Sequence, residues 1–107
     1  MDKKELDKPD LSNTIVYTIN WNPTKSRRLK RTRGVSFEEI VHAEFLGLED
    51  HPSRNDQWIL VYKHKGYVWA VPFVFEAEGI FLKTIYPSRK FKKIYRERRH
   101  NEKDKAD

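Results

Sequence analysis

The residues of this sequence best suited to chemistry are cations that alternate with aromatic side chains toward its C-terminal end. Between positions 83 and 95 the chain carries Lys83, Tyr86, Arg89, Lys90, Phe91, Lys92, Lys93 and Tyr95. Lys and Arg neutralise phosphates and aromatic faces stack on unpaired bases, so this pattern favours a surface for single-stranded RNA. A structural interpretation stays open, because Tyr86 alternates with core positions of a predicted strand and Tyr95 could simply cover the sheet.

The same residue types also suit cleavage of RNA without a metal, through attack of the 2′-hydroxyl on the adjacent phosphate. That reaction needs a base or a field that lowers the pKa of the hydroxyl, cations for the charge on the phosphorane, and an acid for the leaving oxygen. A set of Tyr, Lys and Arg side chains can supply all three. Lys25 and Arg33, from a predicted N-terminal helix, add two further cations to this set.

Other catalytic patterns are missing from the sequence. It has four glycines and neither a G-x-G-x-x-G nor a Walker A loop, which argues against nucleotide cofactors. It has no cysteine, which excludes disulfides, thiolate zinc sites and a cysteine nucleophile. His51 with Asp50 and Asp56 is a conceivable metal site, but a loop histidine beside carboxylates is usually solvated. We therefore expect no cofactor and no metal.

The charge of the chain is unevenly distributed. Twenty-two Lys and Arg against sixteen Asp and Glu give a formal net charge of +6, which suggests a polyanionic partner. Residues 22–33 carry six Lys and Arg and no acid, residues 35–50 carry five acids and no Lys or Arg, and the chain from Arg89 onward is basic again. The alternative interpretation is that these charge runs are solvated surface.

The length of 107 residues favours one compact domain. Residues 1–13 mix both charge signs and are predicted to form a flexible arm, residues 14–97 a single domain, and residues 98–107 a polar tail. We see no signal peptide, and no apolar run approaches the roughly 20 residues that span a bilayer. We therefore expect a cytoplasmic protein without membrane contact.

Local signals predict a strand and two helices in the first half of the chain. Residues 14–21 are rich in β-branched and aromatic side chains, and Asn22 followed by proline predicts a helix over residues 23–32. Ser36 and Glu39 have the spacing of a capping box, which predicts a second helix that ends near Gly47. Its inward positions are Phe37, Ile40, Val41 and Phe45.

Three strands and a short helix are predicted in the second half. Residues 48–56 have the composition of a loop, and residues 57–63 and 67–75 form a hairpin. Pro72 places its strand at a sheet edge or at a bulge, because proline cannot donate to the ladder. Residues 80–86 make the last strand, and residues 89–99 a short helix. The order predicts an α+β fold in which the helices pack on one face of an antiparallel sheet.

Two blocks of the sequence resemble the BrnT family, the toxin half of bacterial type II toxin–antitoxin pairs. The first block comprises Asn20-Trp21-Asn22-Pro23, Lys25, Leu29-Lys30 and Arg33-Gly34-Val35-Ser36-Phe37-Glu38. The later block comprises His51-Pro52-Ser53, Gln57, Val71-Pro72-Phe73, Phe81-Leu82-Lys83-Thr84-Ile85-Tyr86-Pro87-Ser88-Arg89-Lys90, Lys93 and Tyr95. The resemblance spans about residues 20–95. It implies a RelE-like fold of order β-α-α-β-β-β and a ribonuclease that arrests growth until an antitoxin binds it.

The resemblance also implies roles for individual residues. Members of the family usually carry Lys-His-Gly where this chain has Thr32-Arg33-Gly34, and arginine hardly accepts a proton, so any base role passes to Tyr95 or Lys25. The expected catalytic residues are Lys25, Arg33, Arg89, Lys90 and Tyr95. The expected RNA-binding residues are Arg27, Arg28, Lys83, Lys92 and Lys93.

The expected partners are RNA and a cognate antitoxin, and the resemblance allows a homodimer within the toxin–antitoxin complex. Dependence on the ribosome is left open. The alternative function is a non-catalytic module that binds nucleic acid or a partner strand, a hypothesis favoured by the missing histidine and by the partly unpaired sheet that Pro72 implies.

Overall fold

Six strands and three helices make up the part of the chain that the structure describes. A computed structural model gives the backbone of residues 18–106 and the side chains of residues 18–98. In chain order the elements are β1 (Thr18–Asn20), α1 (Pro23–Arg33), α2 (Phe37–Ile40), β2 (Glu44–Asp50), β3 (Trp58–His64), β4 (Tyr67–Glu76), β5 (Gly79–Leu82), β6 (Tyr86–Pro87) and α3 (Arg89–Ala106). The predicted α+β class is confirmed.

The sheet is mixed rather than wholly antiparallel. Its strand order is β1-β5-β4-β3-β2, with β6 beside β4. Strands β2 to β5 form an antiparallel meander, whereas β1 runs parallel to β5, with Thr18 opposite Gly79. The prediction of an antiparallel sheet is therefore wrong for this one pair, because a long connection through α1, α2 and the meander separates β1 from β5 and allows them to point the same way. Residues 14–17 of the predicted first strand lie outside the described residues.

Helix α1 follows its local signals closely. The Asn22 side chain accepts a hydrogen bond of 3.1 Å from the Lys25 backbone N–H, and Pro23 occupies the first helical position. The helix ends where Gly34 adopts a left-handed conformation (φ 81°) and donates to the Lys30 carbonyl. The prediction of a helix over residues 23–32 is confirmed.

Helix α2 is much shorter than predicted. The capping box forms as expected between Ser36 and Glu39, and Phe37 and Ile40 are buried, but the helix ends at Ile40 and the chain enters strand β2. The prediction of a helix that ends near Gly47 is wrong. The predicted loop over residues 48–56 is wrong for residues 48–50, which belong to β2, and is confirmed for residues 51–56. Phe45, expected to point inward, is 47% exposed on this edge strand.

The physical reason for β2 lies in contacts with distant parts of the chain. Strand β2 pairs with β3 along its length, with a bulge between Phe45 and Gly47. A Cβ added at Gly47 would lie 2.2 Å from the hydroxyl oxygen of Tyr95, so glycine permits the close approach of that side chain. The apolar residues up to Phe45 do have helical spacing, but tertiary contacts with β3 and Tyr95 favour a strand here instead.

Pro72 lies neither on an edge strand nor at a bulge, the two positions expected from the sequence, but in a central strand. Strand β4 is central, with β3 on one side and β5 and β6 on the other. The Pro72 carbonyl accepts a hydrogen bond of 2.8 Å from the Lys83 N–H, in the connection between β5 and β6. Because the N and C=O of a strand residue point to the same side, the missing N–H of Pro72 faces the gap where β4 changes partner.

The helices cover both faces of the sheet. Successive residues of β3 point to opposite sides, with Trp58, Leu60 and Tyr62 in one apolar cluster and Ile59 and Val61 in the other. The first cluster contains residues from α1, α2 and their junction (Leu29, Val35, Phe37 and Ile40), and the second contains Phe91 of α3. The prediction of helices on one face therefore holds for α1 and α2, while α3 packs on the opposite face. Helix α3 also continues past residue 99 to Ala106.

Candidate functional site

Three cations from two distant elements lie close enough to Lys25 to influence its charge. We call Lys25, Arg28 and Arg33 of α1, together with Lys83 just after β5, the cation cluster. Burial lowers the pKa of Lys25 below its ordinary value of 10.5, and the positive charges of Arg28, Lys83 and Arg33 lower it further. Among the described residues, no carboxylate contributes to this shift. The cluster is therefore a concentration of positive charge that lacks an internal counterion at Lys25.

Arg33 connects α1 to the segment between β5 and β6. Its guanidinium donates a hydrogen bond to the Ile85 backbone carbonyl and a longer one, 3.4 Å, to the Thr84 hydroxyl. A guanidinium has five N–H donors, so donors remain for a bound anion. These contacts hold the end of α1 against the residues that follow Lys83, and thereby help to bring Lys83 to the cluster.

A buried serine fixes the other end of α1. Ser26 is 1% exposed; its hydroxyl donates to the Glu38 carboxylate at 2.6 Å and accepts from the Phe37 N–H at 2.9 Å. The Trp21 indole N–H donates to the second oxygen of Glu38 at 3.0 Å. The hydrogen bond from Ser26 makes the largest contribution to lowering the pKa of Glu38, and the bond from Trp21 lowers it further. Our sequence analysis missed the role of Ser26, although Trp21 and Glu38 lie in the first resemblance block.

The other predicted cations of α1 have local partners or face solvent. Arg27, expected to bind RNA, is exposed and donates to the Thr24 hydroxyl at 3.3 Å. Lys30 forms an ion pair of 2.8 Å with Glu39. The ammonium of Lys30 is the main reason that the pKa of Glu39 is lowered to about 2. Lys30 is thus paired with a carboxylate, whereas no described carboxylate forms an ion pair with a member of the cation cluster.

Tyr95 lies away from the cation cluster. It packs with the apolar cluster under α3, on the face of the sheet opposite α1. Its hydroxyl donates to Glu49 at 2.7 Å, and Arg98 donates to the same carboxylate oxygen at 3.1 Å. Burial, followed by the Glu49 carboxylate, raises the pKa of Tyr95 above its usual range. A phenol in this state retains its proton at neutral pH, so the arrangement does not provide a base.

The remaining predicted site residues of α3 are exposed at the surface. Arg89, Lys90, Lys92 and Lys93 all face solvent. Phe91 is 5% exposed and belongs to the core, so it cannot stack on a base. The exposed aromatic residue nearby is Tyr67, whose ring lies 5.2 Å from the Lys92 ammonium and is 54% exposed. Our sequence analysis missed Tyr67 because it was treated only as the start of a strand.

The candidate metal ligand His51 has a local structural role. Its ring Nδ1 accepts hydrogen bonds from the backbone N–H groups of Ser53, at 3.2 Å, and Arg54, at 3.1 Å. Across the described part of the chain, His, Asp and Glu side chains form no group of three or more that could hold a metal ion. Within residues 18–106, no helix is both long enough and apolar enough to cross a membrane.

The structure defines an α+β protein with a mixed sheet and a cation cluster at the junction of α1 and the β5–β6 connection. The chain matches no protein-family model and no curated protein. Among solved structures it is similar to the 1.1 Å crystal structure of the ribonuclease toxin BrnT from Brucella abortus. The two chains are 16% identical, the alignment covers 69% of this chain and 99% of that chain, and the TM-score is 0.46.

Proposed function

We propose that the chain is a metal-independent endoribonuclease of the toxin type, acting in the bacterial cytoplasm and neutralised by a cognate antitoxin. The observation that carries this proposal is the cation cluster. Like charges held together cost free energy, and a polyanion that binds them offsets this cost. Ion pairs that serve only stability would place a carboxylate beside these cations, as Glu39 lies beside Lys30.

In the proposed reaction the 2′-oxygen forms a bond to phosphorus and the bond from phosphorus to the 5′-oxygen breaks. The products are a 2′,3′-cyclic phosphate and a 5′-hydroxyl. Lys25, whose lowered pKa increases the share of neutral amine, accepts the proton of the 2′-hydroxyl. Arg28 and Arg33 stabilise the charge on the phosphorane, and the Lys83 ammonium gives a proton to the leaving oxygen.

In this proposal Tyr95 is neither the acid nor the base, because the Tyr95 hydroxyl donates to Glu49 and the pKa of Tyr95 is raised. Arg89 and Lys90 retain their predicted role as contacts for flanking phosphates. The antitoxin inhibits by covering the cation cluster with an acidic segment, which competes with RNA for the same charges. Whether the toxin dimerises within that complex is a separate prediction, measured by the mass of the purified complex.

The test compares two arginines of α1 that differ in position but not in type. The full chain is incubated with single-stranded RNA in the presence of EDTA, and the products are examined for 2′,3′-cyclic phosphate ends. We expect cleavage by the wild type and by Arg31→Ala, and at least a roughly tenfold loss of rate for Arg28→Ala, since Arg28 belongs to the cation cluster. An RNA with 2′-deoxy nucleotides should bind and remain intact.

The alternative, a non-catalytic binding module, predicts a different result in the same experiment. Its support is that both proton transfers fall to lysine side chains, Lys25 and Lys83, because arginine occupies position 33 in place of histidine. If the wild type binds RNA with a steep dependence on salt but leaves it uncut, the chain is a binding module. If it neither binds nor cuts RNA, both proposals are wrong.

A further inference from the structure

A second basic surface lies on the face of the sheet opposite the cation cluster. Here β2, the end of the β3–β4 hairpin and α3 enclose a cleft of about 680 Å³ that opens to solvent. We call it the α3 cleft. Gly47 and Gly66 line it with backbone, and Lys63, Lys92 and Arg96 line it with cations. Since α1 packs on the other face, the α3 cleft and the cation cluster are separate sites.

The two cations on the α3 side of the cleft, Lys92 and Arg96, repel each other. Lys92 and Arg96 are four residues apart on one helix, so their side chains are neighbours, and like charges at this spacing destabilise a helix. Both are exposed. Lys63, on the opposite wall, lies directly across from Glu44 in the strand register. An anion seated between Lys92 and Arg96 would remove the repulsion between them, which points to a phosphate at this wall.

The lining of the cleft also includes a carboxylate, that of Glu49. Glu49 lies there and accepts hydrogen bonds from Tyr95, at 2.7 Å, and Arg98, at 3.1 Å. Arg98 also donates to the other oxygen of Glu49, at 3.5 Å, and these bonds hold the carboxylate in one orientation. Glu49 is therefore engaged within the protein, and the phosphate contacts of the cleft come from Lys92 and Arg96.

An aromatic surface adjoins the cleft at Tyr67. The Lys92 ammonium lies 5.2 Å from the centre of the Tyr67 ring, and that ring is 54% exposed. Trp69, two residues further along the same strand, lies next to Tyr67, with ring centres 6.2 Å apart. A base stacked on the exposed side of Tyr67 would carry its phosphate toward Lys92. Stacking and phosphate contacts so close together are typical of surfaces that bind single strands.

We propose that the α3 cleft binds one or two nucleotides of single-stranded RNA, with phosphate at Lys92 and Arg96 and a base stacked on Tyr67. This site holds RNA and does not cut it. The choice of RNA as the nucleic acid rests on the proposed function, while the cleft itself calls only for a single strand. The α3 cleft is therefore a second RNA-binding site, separate from the cation cluster.

The four glycines of the chain allow a test that separates the two sites. Gly47 and Gly66 line the α3 cleft, Gly34 follows Arg33 at the end of α1, and Gly79 pairs with β1. A 2′-O-methyl hexanucleotide, which cannot undergo attack by its 2′-oxygen, is titrated into ¹⁵N-labelled protein. We expect saturable shifts of the Gly47 and Gly66 amide signals, and a separate shift of Gly34 if the cation cluster also binds.

Two double variants complete the experiment. Lys92→Ala with Arg96→Ala removes the phosphate contacts of the cleft, and alanine is a good helix former, so the fold should persist. Arg27→Ala with Arg31→Ala is the matched pair, because it removes equal charge at the same spacing from an exposed part of α1, outside the cleft and the cation cluster. We expect the affinity reported by Gly47 and Gly66 to fall roughly tenfold in the first variant and clearly less in the second.

Several results would overturn this assignment. One is an RNA titration that moves Gly34 and leaves Gly47 and Gly66 unchanged, which would support the cation cluster alone. Another is an equal loss of affinity in the two double variants, which would indicate diffuse attraction. A third is a hexaglutamate peptide that shifts Gly47 and Gly66 where RNA does not, which would make the cleft a protein-docking site. Binding at Gly47 and Gly66 by a chain that cuts no RNA would support the cleft and refute the nuclease.

Discussion

Arg33 and Ile85 are 52 positions apart in the chain, and the guanidinium of Arg33 donates a hydrogen bond to the backbone carbonyl of Ile85. Arg33 is the last residue of α1, and Ile85 is a fully buried residue of the connection between β5 and β6. The bond therefore fastens one basic element to the segment that begins with Lys83. Its consequence is that the cation cluster depends on an interaction between side chain and backbone as well as on charge.

Replacement of Arg33 tests this dependence. Arg33→Ala should lower the free energy of unfolding by about 1–2 kcal/mol, since it removes a charge-assisted hydrogen bond to a carbonyl, and should greatly reduce RNA cleavage. Arg33→Lys retains the charge but not the forked donor, so it should restore RNA binding more than cleavage. Urea unfolding and single-turnover cleavage measure the two effects. Full cleavage by Arg33→Ala would contradict the proposed role.

Lys25 should give cleavage a dependence on pH. A base acts in its neutral form, so the rate should rise with pH up to the pKa of Lys25, which lies below the ordinary 10.5. Lys25→Arg retains the positive charge but cannot serve as a base at these pH values. We expect this variant to bind RNA normally and to lose the rise of rate with pH. A rate that falls over the same range would instead assign Lys25 as the acid.

Ser26 should contribute to stability more than an exposed hydroxyl on the same helix. Ser26→Ala leaves the Phe37 N–H without its acceptor in the core and removes a donor to Glu38, so we expect a loss of about 1–3 kcal/mol. Thr24→Ala is the matched control, because Thr24 is exposed and contacts only Arg27 among the hydrogen bonds described for it. Its cost should be within about 0.5 kcal/mol. Equal costs in thermal unfolding would show that Ser26 is not a structural anchor.

Glu39 should give the fold a sensitivity to acid. Its pKa is about 2 in the folded protein against 4.5 as the ordinary value, so its contribution is complete above pH 4.5 and is lost as pH falls toward 2. Glu39→Gln preserves the capping acceptor and removes the charge. We expect this variant to match the wild type near pH 2 and to be less stable at pH 7, measured by urea unfolding. A constant difference between the two proteins across this range would contradict the assignment.

Tyr95 separates a structural role from a catalytic one. Tyr95→Phe loses the hydrogen bond to Glu49 and should cost about 1 kcal/mol of unfolding free energy. The rate of RNA cleavage should change by less than about twofold, because Tyr95 lies on the face opposite Lys25. A hundredfold loss of cleavage in a folded Tyr95→Phe protein would restore the catalytic role predicted from the sequence.

The parts of the fold that local chemistry determines could be predicted from the sequence. Helix α1 has its cap at Asn22, a proline at its start and Gly34 at its end, and all three act within the helix itself. Strand β2 could not be predicted, because the apolar spacing from Phe37 to Phe45 suits a helix, and the pairing with β3 that decides the matter involves residues far away in sequence.

The candidate site divides in the same way. Lys25 and Arg33 are eight residues apart on one helix, so their place on a common face follows from helical geometry. That Lys83 joins them depends on the course of the chain between β5 and β6. The position of Tyr95 depends on which face of the sheet α3 covers, and a basic amphipathic helix carries no signal for that choice.

The residues at positions 47 and 95 are expected to vary together among relatives of this chain. Any side chain at position 47 would collide with the phenol, since even a single added carbon would lie 2.2 Å from its oxygen. Relatives that keep a tyrosine here must therefore keep the glycine, and relatives with a larger residue at 47 must have a smaller one at 95 or a displaced α3. Covariation of these two positions would reveal the packing of α3 on β2 from sequences alone.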